Sequence, residues 1–477
     1  MRMRLRLAPV LVLLAPAAAQ VPTPHPDAPV SQAPHKEDPV LDGLLREALD
    51  RNPEVQQAAA QVHMDQEKVP QAKALSDPTL SLGLQNDGFK GIQVGKMATS
   101  YYQVMLTQPF SWPGKRGLRG EIAGVGVDLS QVATERTRLT LKADVERAYY
   151  GLLLVRGQLH LLEQQALFLQ KAQSITQARY EVGQGAQADL LRAQLERTRL
   201  DQTRLSLQSE EGTLVATLNQ LRGRTDDAPI PTTFALEDLV IPPAPPVERL
   251  LKEAEEQSPE LQAARLGVKQ AAYGLSLAKR DRYPDFAIST ALMPRGGLDP
   301  MWSVGVSVAL PIWSKQKQQR AVAEQEWRRK SQGSEVARVR NLLVQRTRER
   351  SAQMASIQGT LRIYREGLLV QSEATFQATL AQYETGRTPF LSVLETLNGW
   401  VADRGGLLQT LAQAEALRIA QAEFNLAGTP SISSAGLSAS SLAMGGAPGG
   451  SARGTSSASV ASTASAQGGS GASSNPM

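Results

Sequence analysis

Apolar residues recur every seven positions along much of the chain, a spacing typical of long helices that pack side by side. Two such series run together between about Ser111 and Arg179, and a third follows before Gly223. They are Leu141, Ala148, Val155, Leu162 and Leu169; Val145, Leu152, Leu159 and Ala166; and Ala193, Leu200, Leu207, Leu214 and Leu221. The first two series predict one uninterrupted rod of roughly 100 Å, at 1.5 Å per helical residue.

The hydrophobic period changes from seven to two in four short runs, which predicts two β-hairpins. The first hairpin lies between Pro78 and Pro109, and the second lies between Pro284 and Pro311. In each run large apolar residues alternate with small or polar ones. Each hairpin is therefore expected to have one apolar face and one small or polar face.

Two glycine-containing breaks interrupt the helical pattern and predict the tips of helical hairpins. Tyr180 and Gly183 lie in the first break, and Tyr383 and Gly386 lie 203 positions further on in the second. Asp189 falls in the first turn after the first break, where the partial positive charge of a helix N-terminus favours a carboxylate. The tip motif and the β-hairpin each occur twice, which predicts a chain made of two repeats.

The duplication divides the chain into segments. Three arginines, an apolar run and an Ala-x-Ala site predict a signal peptide over residues 1–19, and a proline-rich leader follows over 20–39. The first repeat spans residues 40–222 and the second spans 247–428, each with helix, hairpin, long helix, tip and helix. A proline-rich linker over 223–246 joins them. The Ser, Gly and Ala composition of residues 429–477 predicts a disordered tail.

Composition excludes several function classes for this chain of 477 residues. The absence of cysteine excludes disulfides and thiolate metal sites. The net charge of +5 comes from basic residues mixed with acidic ones, which argues against nucleic acid as a partner. Beyond the signal peptide no stretch has the length and apolarity of a spanning helix, so a membrane location predicts strands.

No motif for catalysis or cofactor binding is present, so the chain is not predicted to be an enzyme and no cofactor is expected. Neither a G-x-S-x-G nor an H-E-x-x-H pattern occurs, and the four histidines lack helical ligand spacing, so no metal site is predicted. Four methionines lie in or beside the hairpins: Met97, Met105, Met293 and Met301. We interpret them as packing residues. Contact with soft metal ions in transit is the alternative.

Duplicated halves, proline-bounded hairpins and Y-x-x-G tips together resemble the TolC-type outer-membrane efflux factors, over roughly residues 41–428. The resemblance implies a mainly α fold with a transmembrane β part. Three chains would form one tube, in which duplicated helical hairpins build an α-helical barrel across the periplasm. Four strands from each chain would complete a trimeric twelve-stranded β-barrel in the outer membrane.

The function implied by the resemblance is a passive gated conduit in a tripartite efflux system. Its partners would be two further copies of itself, a periplasmic adaptor, an inner-membrane pump and outer-membrane lipid. The stretch from Thr107 to Arg116 resembles the heavy-metal efflux branch, which works with resistance–nodulation–division pumps. A duct for multidrug efflux or type I protein secretion is one alternative. A periplasmic coiled-coil spacer with no channel is another.

The same resemblance assigns gate residues to the two tips. Closing contacts are implied at Tyr180 and Asp189 in the first tip, and at Tyr383 with Arg387 or Thr388 in the second. The acidic ring of the tunnel mouth maps to Ser392 and Glu395. Ser392 departs from the usual carboxylate, so Glu395 is left as a single acidic layer. The alternatives are a helix-start role for Asp189 and simple solvent exposure for Arg387 and Glu395.

Residues at the strand ends are predicted to lie at a membrane interface. Aromatic rings are expected there, with core packing as the alternative. These are Tyr101, Tyr102, Trp112, Trp302 and Trp313. Basic residues just past each hairpin are expected to contact lipid phosphates, with a solvated helix face as the alternative. These are Lys115, Arg116 and Arg119 in the first repeat, and Lys315, Lys317 and Arg320 in the second.

Overall fold

The computed structural model describes residues 38–428 and Ile432. The first repeat contains α1 (Pro39–Arg51), α2 (Pro53–Lys73), β1 (Thr79–Gln85), β2 (Tyr101–Phe110), α3 (Lys115–Glu181) and α4 (Gln187–Leu221). The second contains α5 (Val247–Gln257), α6 (Pro259–Arg280), β3 (Phe286–Arg295), β4 (Leu298–Val308), α7 (Gln318–Ile363), a π-turn (Tyr364–Leu368), α8 (Leu369–Glu384) and α9 (Phe390–Ala422). In the described part of the chain, no helix has the length and apolarity needed to cross a membrane.

The element order confirms the predicted mainly α fold with two hairpins. The signal peptide, most of the leader and most of the tail lie outside the described residues. Two boundaries differ from the prediction, because α1 already begins at Pro39 and the long helix begins at Lys115 rather than near Ser111. In the stretch predicted to be a disordered tail, Ile432 is buried in the core.

The two repeats build rods of equal length from different pieces. Helix α3 has 67 residues, and the rod formed by α7, the π-turn and α8 runs without a break from Gln318 to Glu384. Shorter helices stack end to end beside these rods, with α1 preceding α2 and α5 preceding α6. The Asn52 side chain accepts the N–H of Glu54 at the first junction, and Ser258 accepts that of Leu261 at the second. These caps, each followed by proline, confirm the predicted break at Asn52.

The π-turn absorbs one extra residue in the second rod. Buried residues Thr347 and Leu361 are two heptads apart, and Phe376 and Tyr383 are one heptad apart. Leu361 and Phe376, however, are fifteen positions apart, one more than two heptads. A π-turn takes more residues per turn than an α-turn, so it returns the buried face to the same side. No feature of the sequence pattern predicted this turn.

The main core lies where α3 is surrounded by α1, α4, α9 and the segment between the repeats. Every member of the series from Leu141 to Leu169 is buried, which confirms that series. The second series ends early, because its last member, Ala166, is exposed. The predicted linker is part of this core through the buried side chains Ile230, Leu236 and Leu239.

Arginines fasten the end of α9 to the long helices. The buried Glu423 carboxylate accepts hydrogen bonds from Arg136 at 3.1 Å and Arg147 at 2.9 Å, both on α3. From α7, Arg350 donates to the carbonyl groups of Asn425 and Ala427. Burial, with the nearby charge of Arg346, lowers the pKa of Arg350 to about 10. Carbonyl groups at the C-terminal end of a helix attract cations. Arg136 and Arg147 on α3 and Arg350 on α7 therefore connect the end of α9 to both rods.

The four strands form one antiparallel sheet in the order β1-β2-β3-β4. The pairing of β2 with β3 joins the hairpins of the two repeats, and β1 and β4 form the edges. Register places one row of large residues on the same face: Leu82, Val104, Leu292 and Trp302. All four are exposed, Trp302 to 77%. The next row, Ser81, Met105, Ala291 and Ser303, belongs to the opposite face, as the alternation predicts.

One of the basic residues after the first hairpin is not at the surface. Lys115 is only 2% exposed, and its Nζ donates to the Asp285 carboxylate at 2.9 Å and the Tyr283 carbonyl at 2.8 Å. The prediction that Lys115 contacts lipid phosphates is therefore wrong. Its ammonium joins the start of α3 to Asp285, which lies 170 residues later in the chain and directly precedes β3. In the second repeat Lys315, Lys317 and Arg320 are exposed.

We expect Lys115→Met to lower the free energy of unfolding by about 1–3 kcal/mol, because it removes the buried ammonium that donates to the Asp285 carboxylate and the Tyr283 carbonyl. Thermal unfolding in detergent, followed by tryptophan fluorescence, measures the change. Lys315→Met is the matched control, since Lys315 is exposed, and it should unfold like the unchanged protein. Equal loss of stability in both variants would contradict the buried ion pair.

The same ion pair predicts a pH dependence. Burial alone would raise the pKa of the Asp285 carboxyl, but the Trp112 N–H and the Lys115 ammonium outweigh burial and hold the pKa below its usual 3.8. A carboxyl whose pKa is lower in the folded state stabilises the fold above its unfolded pKa. The stability difference between Lys115→Met and the unchanged protein should therefore shrink as the pH falls below about 4.

Candidate functional site

The two tips lie at the ends of the rods, where glycine ends each long helix. Gly183 and Gly386 have φ values of 74° and 79°, a left-handed conformation that favours glycine. At Gly185 a Cβ would lie only 2.9 Å from the backbone nitrogen of Tyr180, so the loop closes tightly on the helix end. The predicted helix breaks are confirmed. Asp189 lies in the first turn of α4, as predicted.

Tyr383 connects the second tip to the first repeat. Its side chain is only 3% exposed, and its hydroxyl lies 2.6 Å from the hydroxyl of Thr176 on α3. Arg179 places its guanidinium 5.3 Å from the centre of the Tyr383 ring and donates to the Tyr383 carbonyl at 3.2 Å. A buried hydroxyl pair and a cation over an aromatic face are both stabilising. The second tip is thus fastened to α3 within one chain.

Further contacts support this connection. Lys171 on α3 forms an ion pair with Glu384 at 2.9 Å. At Gly386 a Cβ would approach Arg179 Nη2 to 3.3 Å, so any larger residue would require the guanidinium group to move. The Tyr383 ring packs against Phe390 with ring centres 5.7 Å apart. Both belong to a hydrophobic cluster in which the rings of Phe168, Phe376 and Trp400 lie 5.0–6.1 Å from one another. The cluster holds the Tyr383 ring in a packed environment.

The corresponding residue of the first tip has a different environment. Tyr180 is 44% exposed, although it occupies the same place in its repeat as Tyr383. The Asp189 carboxylate lies 3.5 Å from Arg192 on its own helix, so this contact does not connect the tips. The duplicated motif therefore has one buried, connecting tyrosine and one exposed tyrosine.

The remaining predicted tip residues lie at or near the surface of the single chain. Arg387 and Glu395 are exposed, and Ser392 is half-buried. The Thr388 hydroxyl is buried and has no hydrogen-bond partner among the described residues. Glu395 thus presents a carboxylate near the tip without forming part of the core.

Sequence reasoning missed Thr176 and Arg179. Thr176 is a polar residue, but it lies one heptad beyond Leu169 and so continues the buried series from Leu141. The seven-residue spacing was therefore a usable signal for its burial. Arg179 carried no comparable signal, because its aromatic partner lies in the other repeat.

The predicted interface residues surround the ends of the sheet. Trp302, Trp313 and Tyr102 are exposed, as are Lys317 and Arg320. Arg119 and Lys315 are exposed as well, whereas Tyr101, Trp112 and Arg116 are half-buried. Tyr101 donates to the Gln85 side chain at 2.8 Å, and Trp112 stacks on Tyr283 with ring centres 5.4 Å apart.

Comparison with known proteins gives concordant results. The family model described as outer membrane efflux protein matches residues 44–224 and 250–428. The cobalt-zinc-cadmium resistance protein CzcC of Cupriavidus metallidurans is 22% identical over 365 residues, which cover 74% of this chain and 82% of that protein.

Solved structures share the fold. The outer-membrane channel OprN matches with a TM-score of 0.67 and 16% identity, over 81% of this chain and 90% of that one. VceC of Vibrio cholerae matches with a TM-score of 0.66 and 16% identity, over 80% and 95%. The family comprises channels rather than enzymes, and its model covers most of both repeats. The chain therefore belongs to the outer membrane efflux protein family, as an efflux channel with a large periplasmic part.

Proposed function

We propose that three copies of the chain form one gated conduit, with the sheet in the outer membrane and the tips at the periplasmic mouth. The observation that carries this proposal is the sheet itself. Its β1 and β4 edges end the sheet, and four strands are too few to close into a barrel. Unpaired edges and an exposed apolar face both need partners, which neighbouring copies and lipid supply.

Outer-membrane lipid also explains the surface just past the second hairpin. Leu310, Ile312 and Trp313 are exposed, and Lys315 and Lys317 follow them directly. Apolar and aromatic side chains beside lysines suit the boundary between acyl chains and phosphate groups. The burial of Lys115 restricts this proposal to Arg116 and Arg119 in the first repeat and to Lys315, Lys317 and Arg320 in the second.

The transported substrates are proposed to be heavy-metal cations. CzcC is named for resistance to cobalt, zinc and cadmium, and the Thr107 to Arg116 stretch resembles the heavy-metal branch. The pump is accordingly proposed to be of the resistance–nodulation–division class, reached through a periplasmic adaptor. The channel itself supplies no energy in this scheme. It provides a path whose mouth opens and closes.

The gate is proposed to depend on the contact between Tyr383 and Thr176. This contact closes each chain's second tip against its own α3. Separating the two would release the second tip from the first repeat. Exposed Arg387 and the Asp189–Arg192 pair are proposed to contact neighbouring chains.

We expect detergent-solubilised protein to have three times the mass of one chain in light scattering, because the sheet cannot close alone. Planar-bilayer conductance of the same preparation establishes that it is active. A monomer that conducts would contradict the trimer.

We expect Tyr383→Phe to increase the open probability in planar bilayers. The loss of one buried hydrogen bond shifts the closed–open balance by about 0.5–1.5 kcal/mol per chain, up to about tenfold. Tyr180→Phe is the matched control, since Tyr180 is exposed at the equivalent place of the first tip. The gate proposal fails if the two variants open equally often.

We expect Glu395→Gln to reduce cation selectivity without changing the open probability. Three Glu395 carboxylates around one axis would favour cations in a narrow mouth. The reversal potential in a salt gradient measures the selectivity. Glu135→Gln, which alters an exposed carboxylate paired with Arg138 on α3, serves as the control. An unchanged reversal potential in Glu395→Gln means that Glu395 does not line the mouth.

A further inference from the structure

Three methionines meet on one face of the sheet. Met293 on β3 lies directly opposite Met301 on β4, and Met105 on β2 lies opposite Ala291. Ala291 and Met293 are two positions apart on one strand, so all three methionines project from the same face. Directly opposed side chains in a sheet have Cβ atoms about 5 Å apart, and diagonal neighbours are about 7–8 Å apart. The thioether of Met293, on the middle strand, is therefore within reach of both Met105 and Met301.

The burial of Ala291 supports this convergence. Its side chain is only 5% exposed, although alanine is small and its face carries mostly small or polar residues. Its neighbours on that face include Met105 across the strand and Met293 two positions along. Long side chains at these two neighbouring positions are able to cover Ala291, which is consistent with its burial. The methionines themselves remain half-exposed and accessible to ions from the open side.

The end of the sheet next to this group is irregular. The register shifts between Met293 and Arg295, so that Asp299 and Pro300 lie opposite the single residue Pro294. Bulges commonly redirect a side chain at a functional position. The nearest cation, Arg295, donates to the carbonyl groups of Asp299 and Ala98, which engages its charge with the hairpin ends. Gln103 lies toward Gly83 on β1, away from the methionine pair.

We propose that Met105, Met293 and Met301 form a thioether site for a soft metal ion. Thioether sulfur prefers soft ions such as Cu(I) over hard ions such as Mg²⁺. In the described residues no group of three or more His, Asp or Glu is placed to hold a metal ion, so these sulfurs are an independent ligand set. Apolar side chains occupy the opposite face, so the site lies on the face that the proposed barrel turns toward its lumen.

A role in transport rests on the proposed function, whereas binding at the site does not. Three copies would place nine thioethers around the lumen at one level of the barrel. Ions that pass through must bind weakly enough to leave again. The site is therefore expected to exchange ions rapidly and to distinguish soft ions from hard ones.

The test is a titration of the full-length protein in lipid nanodiscs, labelled with ¹³C at its methionine methyl groups. Silver nitrate in chloride-free buffer supplies Ag(I), a soft ion that does not change oxidation state. Leucine substitutions assign the signals and keep the side-chain volume. The signals of Met105, Met293 and Met301 should shift together, at Ag(I) concentrations severalfold below those that shift Met64. Met64 on α2 is 55% exposed and represents an isolated surface thioether.

Calorimetric titration with silver nitrate measures binding in variants that lack these signals. The triple variant Met105→Leu, Met293→Leu and Met301→Leu should lose the tighter phase of Ag(I) binding, whereas Met64→Leu should keep it. Mg²⁺ should leave all of these signals in place. The proposal is overturned if the three signals shift only together with Met64, or if the triple variant binds Ag(I) like the unchanged protein. Conductance of the same samples in potassium nitrate is measured separately, as a test of the proposed function alone. A non-conducting protein with an intact Ag(I) phase would reject the proposed function and retain the site.

Discussion

Two long rods must keep their buried faces in phase over their whole length, and the other features depend on this constraint. Each rod has 67 residues, and each packs against shorter helices along a stripe of mainly apolar side chains. Helix propensity alone does not align such rods, because most helix stability in proteins comes from packing. The two hairpins meet in one sheet at one end of the rods, and the second tip meets α3 at the other end. Both contacts form only if the two stripes stay aligned.

Contacts between distant parts of the chain secure this alignment at three levels. Next to the sheet, the buried ammonium of Lys115 joins the two hairpins through Asp285. At the main core, Glu423 and its arginines bind the end of α9 to α3. At the tips, Tyr383 meets Thr176. In each case a polar group is buried and paired, and loss of one partner would leave the other unsatisfied.

Local features were readable from the sequence because their causes lie within a few residues. The cap at Asn52, the glycine breaks and the alternating strands each depend on neighbouring side chains, and the series from Leu141 to Leu169 depends on helical period. That period indicates which face is buried, but not where the covering helix ends, so Ala166 was assigned wrongly. The burial of Leu236 shows that a proline-rich segment between two repeats can still be part of the core.

The candidate site was only partly predictable for a related reason. The two tips have similar sequences, so nothing local distinguishes buried Tyr383 from exposed Tyr180. The difference arises from Thr176 and Arg179, which lie more than 200 positions away from Tyr383 in the chain. Lys115 is a similar case, because a lysine after a hairpin looks like a surface residue until its distant partner is known.

The π-turn at Tyr364–Leu368 bears on how this chain tolerates changes in length. One residue added to an α-helix rotates everything beyond it by about 100°. Added elsewhere in the second rod, such a residue would turn Tyr383 away from α3. The wide turn accommodates the extra residue locally, with the Tyr364 hydroxyl against Gly406 and Arg365 bonded to the Leu239 carbonyl. It is therefore the place where the rod can gain or lose a residue while the direction of the tip is preserved.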